Sequence, residues 1–225
     1  SMEALARWQK SDGTFVSPGE FIPLFESSGF ITRFDMYIWK SVCKTLAAWQ
    51  DKGCKLVPIS INVSMIDITN IDVPQYLSML TEQYHISPEY LPVEITESVF
   101  AESNTIVKNT ITRFHKKGFY VLMDDFGSGY SSLNVLKDAN VDYLKLDMKF
   151  MQIDTKNKGK GIQILKSIVD MAYRLGLVII AEGVETKEQS EILKSMNCNY
   201  GQGFYFHRPM SVEAAEELIQ TIPIE

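Results

Sequence analysis

Two kinds of hydrophobic pattern alternate along the chain. Residues 57–63, 93–96, 120–123, 143–146, 178–181 and 203–206 are apolar or β-branched on nearly every position. Runs this short and this continuous suit strands buried on both faces. The longer stretches between them are amphipathic. Across residues 35–52, Ile38, Val42, Leu46 and Trp49 fall on one face. Ser103 can cap a second helix, with Val107, Ile111 and Phe114 as its stripe and Gly118 as its stop. A third stripe, Ile162, Leu165, Ile168, Val169, Ala172 and Leu175, is closed by Gly176. Thr186 and Gln189 form a capping box ahead of Ile192, Leu193 and Met196, and a last helix runs from Ser211 through Ala215, Leu218 and Ile219. Residues 155–161, with three lysines and two glycines, read as a surface loop.

Strand and helix in regular succession predict parallel βα units, which fit both a doubly wound sheet and a (β/α)8 barrel. The polar residues near the strand ends discriminate better. Asn62, Glu94, Asp124, Lys145, Glu182 and Gln202 follow one another at intervals of 32, 30, 21, 37 and 20 residues, each a plausible βα length. Glu97, Asp125, Asp147 and Glu185 lie close by. In a barrel all such positions converge on one mouth. In an open sheet only those near the switch point could meet. Convergence therefore favours the barrel.

Composition narrows the function. The 225 residues are 45% hydrophobic and 22% charged, enough for a substantial core and unlike a disordered chain. No apolar run approaches the roughly 18 residues of a membrane span. No membrane contact by this domain is expected, and a cytoplasmic setting is. The net charge of −6 argues against DNA or RNA held on a basic face, but not against a small phosphate ligand held through metal ions. Cys43, Cys54 and Cys198 are widely spaced and odd in number, so buried reduced thiols are expected rather than a disulfide framework.

Carboxylates crowded into one mouth would repel and take up protons unless a cation were present. Oxygen donors without histidine suit Mg2+ or Mn2+. His85, His115 and His207 lie outside the strand-end positions and read as surface or packing residues. A single acidic residue after a strand also makes a good helix cap, so Asp125 or Glu185 alone would carry little weight. Asp125-Phe126-Gly127 matches a kinase tripeptide, yet neither the glycine-rich loop nor the catalytic loop of kinases is present. Gly201-Gln202-Gly203 is too short for a dinucleotide fingerprint.

Taken together and in order, these strings resemble the EAL family of cyclic di-GMP phosphodiesterases. Glu3-Ala4-Leu5-Ala6-Arg7-Trp8 is similar to the name-giving motif, and residues 17–31, 61–64, 93–98, 124–133, 144–147, 181–186 and 202–209 to the seven that follow. The resemblance implies a single domain over 1–225 with a TIM-like (β/α)8 barrel. The family's first strand precedes the EAL motif, so it is expected to be missing from this chain, which is then expected to be a piece of a longer protein. It further implies hydrolysis of cyclic di-GMP to linear pGpG with two ions of Mg2+ or Mn2+, and inhibition by Ca2+. Carried over by position, Glu3, Asn62, Glu94 and Asp124 would hold one metal, and Asp124, Asp125 and Glu182, the last also a catalytic residue, would hold or neighbour the second. Lys145 would orient or deprotonate the attacking water, Gln202 would help place it, and Arg7 would contact a substrate phosphate. Glu97 would prop the loop from Asp125 to Ser132, and Glu185 is assigned to loop positioning beside it. A homodimer, and an upstream sensor or GGDEF domain, are the implied partners. The alternatives are a catalytically silent cyclic di-GMP receptor and a Mg2+-dependent barrel with Lys145 as base on a carboxylic acid.

Overall fold

A computed structural model describes residues 1–102, 104–127, 136, 139–147 and 158–221. In chain order the elements are β1 (Met2–Glu3), β2 (Trp8–Gln9), β3 (Phe15–Val16), α1 (Pro18–Ser28), α2 (Ile31–Asp51), β4 (Ile59–Asn62), α3 (Met65–Asn70), α4 (Val73–Tyr84), β5 (Val93–Thr96), α5 (Glu97–Glu102) and α6 (Asn104–Lys116). They continue with β6 (Val121–Phe126), β7 (Tyr143–Asp147), α7 (Lys158–Arg174), β8 (Val178–Glu182), α8 (Lys187–Ser195), β9 (Tyr200–Gly201) and α9 (Val212–Gln220). Two compact units result. The first takes Ser1–Glu94, Thr112–Tyr120 and the stretch from Met210 onward, and the second takes Ile95–Ile111 and Val121–Pro209.

In the first unit β1 and β5 each pair in parallel with β4. Pro58 explains why β4 starts at Ile59 although the apolar run begins at 57. Without an N–H, proline cannot donate to the ladder, and Pro58 only accepts, from Met2 N–H at 2.8 Å. The long helix α2 buries Trp39, Val42, Cys43, Leu46 and Trp49, the spacing of one helical face, and packs against α1, α3, α4 and β4. Strands β2 and β3 form a hairpin whose Trp8 ring sits 5.7 Å from Phe25 and 5.8 Å from Phe21, both on α1. An ion pair between Lys52, which closes α2, and Glu216 ties α9 to the same unit.

In the second unit β6, β7, β8 and β9 pair in parallel in that order. Helix α7 covers β8 with Leu165, Val169 and Ala172 buried, and ends before Gly176, whose φ of 74° is the left-handed geometry of a helix stop. The Thr186/Gln189 capping box opens α8 as expected.

Two expectations change. Residues 203–206 are not a strand. The strand is Tyr200–Gly201, and Gly203 to Phe206 form a turn closed by Phe206 N–H to the Gly203 carbonyl at 3.0 Å. Residues 158–161 are not loop, because α7 starts at Lys158 and the helix of the Ile162 stripe overrides the weak propensity of Gly159 and Gly161. Helix α4 was unanticipated, although Asp72 caps it and Val73, Leu77 and Leu80 give it a buried face. The expected Ser103 cap, the 128–133 part of the loop after the double aspartate and residues 155–157 lie outside the described residues.

Cys43 and Cys198 are buried, and burial pushes the Cys43 thiol up to about 12 and the Cys198 thiol upward; Cys54 is half-buried. His85 and His207 are exposed, with His85 in the left-handed position that ends α4. Among the described residues no helix is long and apolar enough to cross a membrane.

Candidate active site

The sequence-predicted residues fall into two groups, one in each unit. In the first unit, parallel register sets Glu3 level with Ser60 and Asn62 level with Glu94. Side chains alternate along a strand and paired residues share a side, so Glu3, Ser60, Asn62 and Glu94 occupy one face of β1, β4 and β5. Glu94 is buried, Glu3 half-buried and Asn62 exposed. Ser60 escaped the sequence reading, though its place two residues before Asn62 marks it. Its hydroxyl donates to the Met2 carbonyl at 3.2 Å and stitches β1 to β4. The Asn62 carbonyl in turn accepts the Trp39 indole N–H at 3.0 Å.

The second unit holds the tighter arrangement. Lys145 lies level with Ile180 and Asp147 with Glu182, which puts Lys145, Asp147 and Glu182 on one face. Leu122 pairs with Tyr143, so Asp124 shares that face. Between Met123 and Phe126 the register slips by one residue, a β-bulge. The extra residue accounts for the double aspartate. Asp124 stays on the site face, while Asp125 takes a φ of 56° and donates its N–H to Asp124 Oδ1 at 2.8 Å. Lys145 Nζ lies 2.7 Å from Glu182 Oε1 and 3.4 Å from Asp124 Oδ1. With Lys145 only 1% exposed, this is a buried ammonium held by two carboxylates of adjoining strands. Gln202 follows β9 directly and is fixed through its backbone, donating to the Ala181 carbonyl at 2.8 Å and accepting from Val184 N–H at 3.0 Å.

Glu97, Glu185 and Arg7 complete the assigned residues. Glu97, buried, accepts the Gly127 N–H on Oε2 at 2.8 Å and so holds the end of β6. Glu97→Ala should lower stability by about 1–3 kcal/mol, because it leaves that N–H without its acceptor. Urea denaturation reads this directly, and an unchanged midpoint would show that the bond carries no net stability. Glu185 is exposed, and its N–H donates to the capping-box residue Gln189 at 2.7 Å. Arg7 is exposed beside the β2–β3 hairpin.

The donors in both groups are oxygens, so their chemistry fits a hard divalent cation. Among the described residues, no three His, Cys, Asp or Glu side chains gather closely enough to hold one. In the second unit the Lys145 ammonium offsets one of the two negative charges of Asp124 and Glu182.

The family described as EAL domain matches residues 1–209. The chain belongs to the EAL domain family. It is 35% identical over 212 residues to the probable cyclic di-GMP phosphodiesterase PdeB of Escherichia coli, covering 94% of this chain and 40% of that protein. It is 36% identical over 217 residues to the signaling protein YkoW of Bacillus subtilis, covering 96% of this chain and 27% of that protein. The chain thus spans about a quarter to two fifths of the curated relatives it matches. Among solved structures, the PaMucR phosphodiesterase in complex with c-di-GMP superposes with a TM-score of 0.86 at 31% identity, covering 95% of this chain and 86% of that one. The EAL domain protein of Listeria monocytogenes gives 0.83 at 28%, covering 98% and 85%. The fold is the TIM-like α/β barrel fold of EAL domains.

Proposed function

We propose that this EAL domain hydrolyses cyclic di-GMP to linear pGpG with two divalent cations, Mg2+ or Mn2+. The observation that carries the reading is the buried Lys145 ammonium between Glu182 and Asp124, on a face of parallel strands where every motif position holds the family's residue type. The names of the relatives support the substrate.

Glu3, Asn62 and Glu94 of the first unit, and Asp124, Asp125 and Glu182 of the second, are the oxygen donors assigned to the cations. Bound ions of this kind supply positive charge and lower the pKa of water. The chain's own groups do the positioning. In the reaction the attacking water gives up one proton as its oxygen joins phosphorus, the bond from phosphorus to the 3′ oxygen breaks opposite it, and that oxygen takes up one proton, so none is gained or lost overall. Lys145 fixes Glu182 and Asp124 and presents its charge where the water must sit. Gln202, held by two backbone bonds, donates or accepts at the same water. The Arg7 guanidinium pairs with a non-bridging phosphate oxygen. Ca2+ is assigned as an inhibitor that takes the same oxygen donors. A homodimer and further domains belong to the same proposal. The latter accord with the much greater length of relatives such as the oxygen sensor protein DosP of Escherichia coli, of which this chain spans 26%.

The test is Glu3→Ala. Chromatography should show pGpG formed by the wild-type chain in Mn2+ and at least about 100-fold less by the variant, with unchanged circular dichroism. Equal turnover would remove Glu3 from the site. Nucleotide bound by the wild type without any pGpG would make the domain a receptor instead.

A further inference from the structure

A buried acid pair in the first unit has no part in the proposed hydrolysis. Thr32, Asp35 and Trp39 stand at i, i+3 and i+7 on α2, hence on one side of it. Trp39 donates to the Asn62 carbonyl, and the Thr32 hydroxyl accepts from Asn70 Nδ2 at 3.3 Å. Asp35 lies between them on that side of α2, which packs against α3, close enough to Asp67 for the two charges to interact. Asp67 is completely buried. Its Oδ2 accepts the Ser64 N–H at 2.9 Å and the Ser64 hydroxyl at 2.7 Å, which caps α3. Its buried Oδ1 meets no hydrogen-bond donor.

Two carboxylates have no hydrogen to place between them, and a buried acceptor left without a donor is costly. One carboxylic acid facing one carboxylate removes both problems. We propose that Asp35 carries a proton and donates it to Asp67 Oδ1, so that a single shared proton bolts α2 to the junction of β4 and α3.

Burial, then the charge and hydrogen bond of Asp67 and the charge of Glu26 on α1, push the Asp35 carboxyl up to about 8 from an ordinary 3.8. The folded chain therefore holds a proton that the unfolded chain has already lost. The stabilisation is complete below about 3.8, declines as pH rises, and is gone above about 8.

Thermal melting of the whole chain between pH 5 and 9 tests this against Asp35→Asn, whose amide donates at every pH and bears no charge. Between pH 5 and 9 the wild type should lose roughly 4 °C or more relative to the variant. A constant offset, or a wild type that gains on the variant as pH rises, would overturn the shared proton. Should the variant not fold, carboxyl 13C titration of the wild type decides. An Asp35 signal moving near pH 8 supports the pair, and one moving near 3.8 refutes it. Neither measurement involves substrate or metal, so the outcome stands apart from the phosphodiesterase reading.

Discussion

Replacing Lys145 with methionine should lower both stability and turnover more than any other single change in the second unit's site. Methionine fills a similar volume, so the loss is of charge rather than packing. Without the ammonium, Asp124 and Glu182 face each other uncompensated across β7, with side chains only 13% and 18% exposed. Breaking a buried ion pair costs about 3–5 kcal/mol, and the partial exposure of the acids places this case near the lower end. At 2–4 °C per kcal/mol for a chain of this size, melting should fall by roughly 6–12 °C. Hydrolysis of cyclic di-GMP should fall about 10^3-fold, as for removal of a group that positions a reacting water and assists its proton transfer. Mn2+ supplies a separate check. If Asp124 and Glu182 are metal ligands, the ion binds the folded variant and raises its melting temperature more than it raises that of the wild type. Full turnover in Lys145→Met would remove Lys145 from the reaction, and an unchanged melting point would show that the two acids do not depend on it.

Lys145 also shows what a sequence reading can and cannot reach. Its spacing from Asp124 and Glu182 placed it on the right strand, because residues near the ends of consecutive βα units recur at strand-to-strand intervals. Its depth was not legible. Lys145 and Glu94 lie inside β7 and β5 rather than at their ends, and both are 1% exposed. Periodicity reports which face a residue occupies and says little of how far along the barrel axis it sits. The bulge at Asp125 was equally hidden, since two adjacent aspartates look the same whether the strand is regular or slipped by a residue. The Thr186/Gln189 box could be read outright, because a cap is a local device whose partners lie within one helical turn. The related box at Ser64 and Asp67 has the same spacing. Its third-position acid is buried against a helix 32 residues earlier in the chain, and only tertiary structure brings Asp35 there.

A second large effect is expected at residues 203–206, where the backbone turns instead of extending. Phe204, Tyr205 and Phe206 read as strand, yet all three rings are substantially exposed, and the Arg208 guanidinium lies 5.0 Å from the Phe204 ring centroid. The backbone explains the turn. Gly203 has a φ of 152°, a region nearly closed to residues with a Cβ. A Cβ built there would come within 2.8 Å of the Val184 carbonyl carbon, and closer still to its nitrogen and oxygen. These are main-chain atoms, and no side-chain rotation relieves them. Gly203→Ala must therefore push apart two segments joined by Val184 N–H to the Gln202 carbonyl at 3.0 Å and Tyr205 N–H to the Val184 carbonyl at 3.0 Å. Overpacking against side chains costs about 1–3 kcal/mol, and against backbone in a strained conformation the upper end or more is expected. Melting should drop by roughly 6–12 °C. Gln202 should move as well, which predicts a fall in turnover larger than the fraction unfolded at the assay temperature. Gly201→Ala is the control. There the nearest atom is Phe206 Cε2 at 3.1 Å, the edge of an exposed ring that can turn aside, and φ is unconstrained. A drop confined to Gly203→Ala would tie the position of Gln202 to this close approach, whereas equal melting of the two variants would show that the loop yields without cost.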